Sequence, residues 1–157
     1  MENSLDVLAE SLELKIDVLR EIEEYNNSQR EAFENETANM DAFDEAIERK
    51  AELIEKLEKL DDGFEALYER VADEIKGNKE KYADKIRDIQ EKIALITELS
   101  VSVQASEARN KKLIENYFSR ERKVIKNGRV GSRAAYDYYK NMSGIGAAGP
   151  HFMDSKN

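Results

Sequence analysis

The residues able to do chemistry are few, and their placement argues against a catalytic centre. The single histidine, His151, stands near the C-terminal end of the chain. A di-iron site in a helical bundle takes two Glu-x-x-His pairs on facing helices, and one histidine cannot supply them. A bundle that carries phosphate on histidine needs that histidine on a helix face, and none is there. Cysteine is absent, which removes disulfides, thiolate ligands and a cysteine nucleophile together. No glycine-rich phosphate loop and no G-x-S-x-G elbow occurs. Asp and Glu are abundant, but on helices they read as solvated faces with basic partners four residues on, such as Glu45/Arg49 and Glu55/Lys59. The expectation is therefore a protein that is not an enzyme, with no catalytic residue, no metal and no cofactor. What remains is recognition of other chains through apolar and aromatic surfaces.

Charge narrows the partners. Residues 1–108 carry 14 Lys and Arg against 30 Asp and Glu, and residues 109–157 carry 11 against 4. The body is thus net −16 and the C-terminal end net +7, within a chain of −9. An acidic body argues against nucleic-acid binding, which is driven by phosphate neutralisation. The basic end suits an acidic surface, either of a neighbour or of the chain's own fold. The first residues, MENSLDVLAE, lack the basic start and apolar run of a signal peptide. The aliphatic runs are too short to span a bilayer, so no stable membrane insertion is expected. With no cysteine and no signal-peptide pattern in the first residues, a cytoplasmic location is the expectation.

Charged residues at 38%, one proline and seven glycines in 157 residues are the composition of long helices and coiled coils. The fold class expected is all-α: an elongated antiparallel bundle of three long helices, coiled-coil-like, with a flexible C-terminal tail. The first helix reads as Ser4 to Asn35, capped by Ser4. Leu5, Leu8, Leu12, Ile16, Leu19 and Ile22 form one stripe, and Val7, Leu14, Val18 and Tyr25 widen it. A break follows at Asn35, Thr37 and Asn39, residues that favour turns and caps.

The second helix runs from Met40 to Lys76. Phe43, Ile47, Lys50, Ile54, Leu57, Asp61, Phe64, Tyr68, Val71 and Ile75 step by four and three, a heptad seam. Ala46, Leu53, Leu60 and Leu67 lie beside it. Gly63 inside this stretch suggests a kink, a close approach or a groove, against a tolerated surface glycine. Gly77 suits the left-handed position after a helix, and Asn78 suits the cap of the next.

The third helix reads as Lys79 to Asn127. Its seam is Tyr82, Ile86, Ile89, Ile93 and Ile96. The seam then weakens, because Ser100, Glu107 and Asn110 stand where apolar residues are expected. At 1.5 Å per residue this helix outruns the other two, leaving Arg109 to Asn127 without a partner helix. Past Gly128 the periodicity ends in GIGAAG and a proline. The domains expected are a helical bundle over 1–127 and a flexible tail over 128–157, with room for a short docking helix around Tyr136, Tyr138 and Tyr139.

The stretch AFDEAIERKAELIEKLEKLDDGFEALYERV, residues 42–71, resembles the FlgN family of flagellar type III export chaperones. Those proteins commonly show a Lys–aliphatic–Leu repeat, then Leu-Asp-x-Gly-Phe, then Leu-Tyr. The matching positions are Lys50, Leu53, Ile54, Leu57, Leu60, Asp61, Gly63, Phe64, Leu67 and Tyr68. The resemblance implies a cytoplasmic chaperone. It would bind hook–filament junction (hook-associated) proteins, cover their amphipathic terminal helices, and deliver them to the cytoplasmic domain of the export gate. It also implies a C-terminal region that docks at the gate, often through a tyrosine.

Two site expectations follow. Surplus apolar residues on helices two and three, Leu53, Leu57, Leu60, Phe64, Leu67, Val71, Ile89, Ile93 and Ile96, form the cargo groove, although some must also hold the bundle. Tyr117, Phe118, Tyr136, Tyr138 and Tyr139 dock at the gate. The rival reading is a coiled-coil or spectrin-like scaffold acting through homo-oligomerisation, and a homodimer stays open under either.

Overall fold

The computed structural model describes residues 3–34, 39–120 and 138–139. Three helices make up the body: α1 (Ser4–Glu31), α2 (Met40–Ile75) and α3 (Ala83–Arg120). No strand occurs among the described residues. The cap of α1 is Asn3, one residue before the expected Ser4. Asn3 has extended backbone and its side chain accepts from the Asp6 amide, which satisfies one of the helix's orphan donors. The Ser4 hydroxyl instead donates to Glu74 at the end of α2, at 2.9 Å. Asn39 caps α2 through the Ala42 amide. Gly77 follows α2 with φ +82°, the left-handed conformation open to glycine. Asn78 does not begin a helix at Lys79. Residues 79–82 form turns, and α3 starts four residues later than the heptad pattern suggests.

Cross-links fix the order of the bundle. Ser4 meets Glu74, and Asp6 meets Lys85 at 3.0 Å. So α2 runs antiparallel to α1, while α3 runs parallel to it. α1 packs closely on both neighbours, and α2 and α3 keep further apart. All six residues of the α1 stripe are 0–1% exposed. Of the four that were to widen it, only Val18 is buried. Val7 and Leu14 face outward, and Tyr25 is half-buried.

The core has two parts. The longer gathers the α1 stripe with Leu57, Phe64 and Val71 of α2 and Ile89, Ile93, Ile96 and Val103 of α3. The shorter lies at the α1–α2 turn and gathers Ala32, Met40, Phe43, Ile47, Ile114 and Tyr138. A buried polar belt of Asn26, Gln29, Lys50, Glu107 and Asn110 joins the helices between them. The weak seam of α3 is this belt.

The last turns of α3 do not stand alone as its length suggested. Asn110 donates to the Asn26 carbonyl, Ile114 is buried, and the Tyr117 ring meets Phe33 edge-on at 5.9 Å. The late start of α3 and the extra turn past α1 at Ala32 and Phe33 account for the difference. Residues 121–127 of the expected helix lie outside the described residues. Gly63 makes no kink, since α2 is continuous through it, and a methyl group there would meet nothing within 4 Å.

Candidate functional site

Two places in the bundle could recognise another chain. The first is a cleft of about 290 Å³ between the end of α2 and the start of α3. Leu5 and Leu8 of α1 form its floor, and Tyr68, Val71, Ile75, Ile86 and Ile89 line its sides. It exists because α2 and α3 both lean on α1 without closing on each other. Of the nine residues expected in a cargo groove, Val71 and Ile89 line this cleft. Leu57, Phe64, Ile93 and Ile96 are buried within the bundle core. Leu53, Leu60 and Leu67 are half-buried and pack on that core from the edge of α2. They repeat every seven residues and so make one line along the helix. Leu67 stands one turn from Val71, which brings that line to the cleft.

The second place is the polar belt and its aromatic cover. The Lys50 ammonium, fully buried, donates to the Asn26 side-chain oxygen at 2.7 Å and to the Glu107 carboxylate. Asn110 donates to the Asn26 carbonyl at 3.0 Å and to Gln29 at 3.3 Å. Arg109 adds a bond to the same Asn26 carbonyl. Burial pulls the Lys50 amine down from 10.5 to about 8, with the Glu107 carboxylate opposing. Nearby on the α1–α3 face, Ser102 and Ser106 donate to Glu23 at 3.1 and 2.5 Å. One helical stretch toward the cleft, the second charged seam residue, Asp61, pairs with Lys15 at 2.5 Å. Burial raises the Asp61 carboxyl above its ordinary value against the pull of Lys15.

Over Lys50 sit two tyrosines from the C-terminal part of the chain. The Tyr138 ring centroid is 4.4 Å from the Lys50 nitrogen and that of Tyr139 is 5.8 Å away. The two rings meet edge to face at 5.0 Å. Tyr138 is 9% exposed, and both residues have helical backbone. Burial, with the Glu107 carboxylate alongside, pushes both hydroxyls well above their ordinary 10. Four of the five residues expected at the export gate, Tyr117, Phe118, Tyr138 and Tyr139, thus gather at one end of the bundle. Tyr138 and Tyr139 are seated on the bundle rather than carried on a free arm. The reason is the buried ammonium, which a ring face stabilises and water cannot reach. Tyr136 and the rest of the expected tail lie outside the described residues.

The residues of this belt were visible in the sequence only as irregularities. Lys50 interrupts the α2 seam, Glu107 and Asn110 interrupt that of α3, and Asn26 and Gln29 continue the α1 stripe by its own spacing. Polar residues in register on three helices are the signal. Among the described residues, no three His, Cys, Asp or Glu side chains are grouped to hold a metal ion. No described helix is long and apolar enough to cross a membrane. Compared with family models, curated proteins and solved structures, the chain matches none of them.

Proposed function

We propose that this chain is a helical export chaperone of the flagellar type III pathway, which holds the amphipathic terminal helices of hook–filament junction proteins in the cytoplasm. The observation that carries the reading is the open α2–α3 cleft with the half-buried leucines of α2 leading to it. An amphipathic helix laid in a groove is read through anchors at i, i+3, i+4 and i+7. A strip of leucines at sevens beside an apolar cleft suits such a ligand. The resemblance of residues 42–71 to the FlgN family supports the same reading, and it falls on the helix that bears this strip. The net negative charge of residues 1–108 helps keep the unloaded protein from self-associating. Delivery to the export gate then draws on the C-terminal aromatics. Tyr138 and Tyr139 reach a gate only after leaving Lys50.

The test is binding of a hook-associated protein's terminal helix to the full chain, with Leu67→Asp and Leu60→Asp as variants. Both side chains are half-buried, so the fold tolerates the change better than at Leu57 or Phe64. Cargo affinity should fall at least tenfold, about 1.4 kcal/mol, with the circular dichroism unchanged. Undiminished binding to both folded variants would remove the α2 edge from the reading.

A further inference from the structure

The seat of Tyr138 and Tyr139 differs from ordinary core packing in three respects. Its floor is built by the bundle itself. Asn26 of α1 and Glu107 of α3 hold the Lys50 amine of α2 in place, so the cation's position is set by bonds within the bundle that involve neither tyrosine. Its walls are aromatic: Phe33 and Phe43 meet edge-on at 5.3 Å, and Tyr117 and Phe118 lie beside them. Its occupant comes from elsewhere in the chain. Seventeen residues, 121–137, separate Arg120 from Tyr138.

We propose that this end of the bundle is a binding site for two adjacent aromatic side chains on a helical turn, and that Tyr138 and Tyr139 occupy it as the chain's own tethered ligand. A cation held at 4.4 Å from a ring centroid selects π faces over aliphatic side chains of the same size. The two adjacent rings meet edge to face at 5.0 Å, the first over Lys50 and the second beside it, so the seat takes the pair as a unit. The fit is to rings and not to phenols. Neither tyrosine hydroxyl completes a hydrogen bond of good geometry among the described residues, and Glu107 Oε2 and Asn26 Nδ2 are likewise without partners. An aromatic pair lacking buried hydroxyls would therefore bind at least as well. The tether gives the resident pair an effective concentration on the order of millimolar. Competing sequences enter only when they bind more tightly than that, or when the tail is engaged elsewhere. The site rests on side-chain geometry alone and stands whether or not the protein serves flagellar export.

The experiment uses the full chain with Tyr138→Ala and Tyr139→Ala together, and a labelled peptide of residues 132–142 as probe. The peptide should bind the double variant saturably, and at least tenfold more tightly than it binds the unaltered protein, whose site is filled. Adding Lys50→Met should abolish that gain. Should that variant fail to fold, altered peptides on the double variant carry the test. Phenylalanine at both positions should bind as well or better, and leucine at both at least tenfold worse. Equal binding to the unaltered protein, no binding to either, or leucine binding like tyrosine would overturn the proposal. So would a double variant that no longer folds, since the tyrosines would then be core. A dimer that the double substitution turns to monomer would show the pair to be supplied by a second copy, and would overturn the tethered form.

Discussion

Lys50 is the costliest residue in the bundle to bury, and its neighbours show how the cost is met. An ammonium removed from water is tolerable only when paired and hydrogen-bonded, and Glu107 and Asn26 do both. Removing the partner leaves the charge alone. Glu107→Gln should destabilise the protein by about 3–5 kcal/mol, while Lys50→Met with Glu107→Leu should restore or exceed the original stability. Urea unfolding of the three proteins checks this, and a double variant no better than the single would sink it. The amine also sets a pH dependence. Its proton is held with a value of about 8 in the folded chain, against 10.5 when unfolded. Below pH 8 both states are charged and the folded state bears the full penalty. Between pH 8 and 10.5 the folded state sheds the proton first, so stability rises with pH through that window. Relative to Lys50→Met, the unaltered protein should gain about 2 kcal/mol between about pH 7.5 and about pH 9.5. A flat or falling difference would show that the amine is not so depressed. None of this chemistry was legible in residue types alone. A lysine in a heptad seam reads equally as a surface residue out of register, and only the coincident Glu107 and Asn26 on other helices turn it into a buried pair.

Two glycines test the elements that carry them, in opposite directions. Gly63 lies mid-helix with open space around its missing side chain, so alanine adds helix propensity without a clash. Gly63→Ala should raise stability by about 1 kcal/mol. Gly77 has φ +82°, where a side chain is strained. Gly77→Ala should lower stability by about 1 kcal/mol even though nothing crowds it. Chemical denaturation midpoints read both, and equal effects of the two substitutions would contradict the helix-and-turn assignment. The three helices were plain from periodicity and turn chemistry, because Asn39 and Gly77 act through local backbone geometry. Their ends were less so. Asn3 and Ser4 are both good caps, and the choice fell to the long-range bond between Ser4 and Glu74. The start of α3 at Ala83 could not be read from Tyr82, whose seam position suits a helix while its backbone lies in a turn.

The helices hold 28, 36 and 38 residues of the 157, so circular dichroism should report about two-thirds helix, well above the one-third typical of globular proteins. Light scattering without cargo should give the 18.0 kDa of a monomer. An obligate oligomer would favour the scaffold reading over a cleft that takes its ligand one-to-one. The bundle was legible in outline because its order follows from chain length and hydrophobic period. The seat of Tyr138 and Tyr139 was not, because two residues have no period and their position is decided by a cation eighty-eight residues earlier in the sequence. One feature of the whole governs how it assembles. α1 packs along both other helices, and these approach each other less closely, chiefly through Lys50 and Glu107. During synthesis α1 and α2 can pair at once, yet the side of α1 meant for α3 stays bare until α3 has been made, a delay of a few seconds at about 5–20 residues per second. In that interval the α1 stripe is the most adhesive surface the chain presents. In the finished protein the same arrangement works in reverse. α1 cannot detach without stripping both neighbours, so its amides should exchange hydrogen only when the entire bundle opens, whereas the ends of α2 and α3 can fray alone.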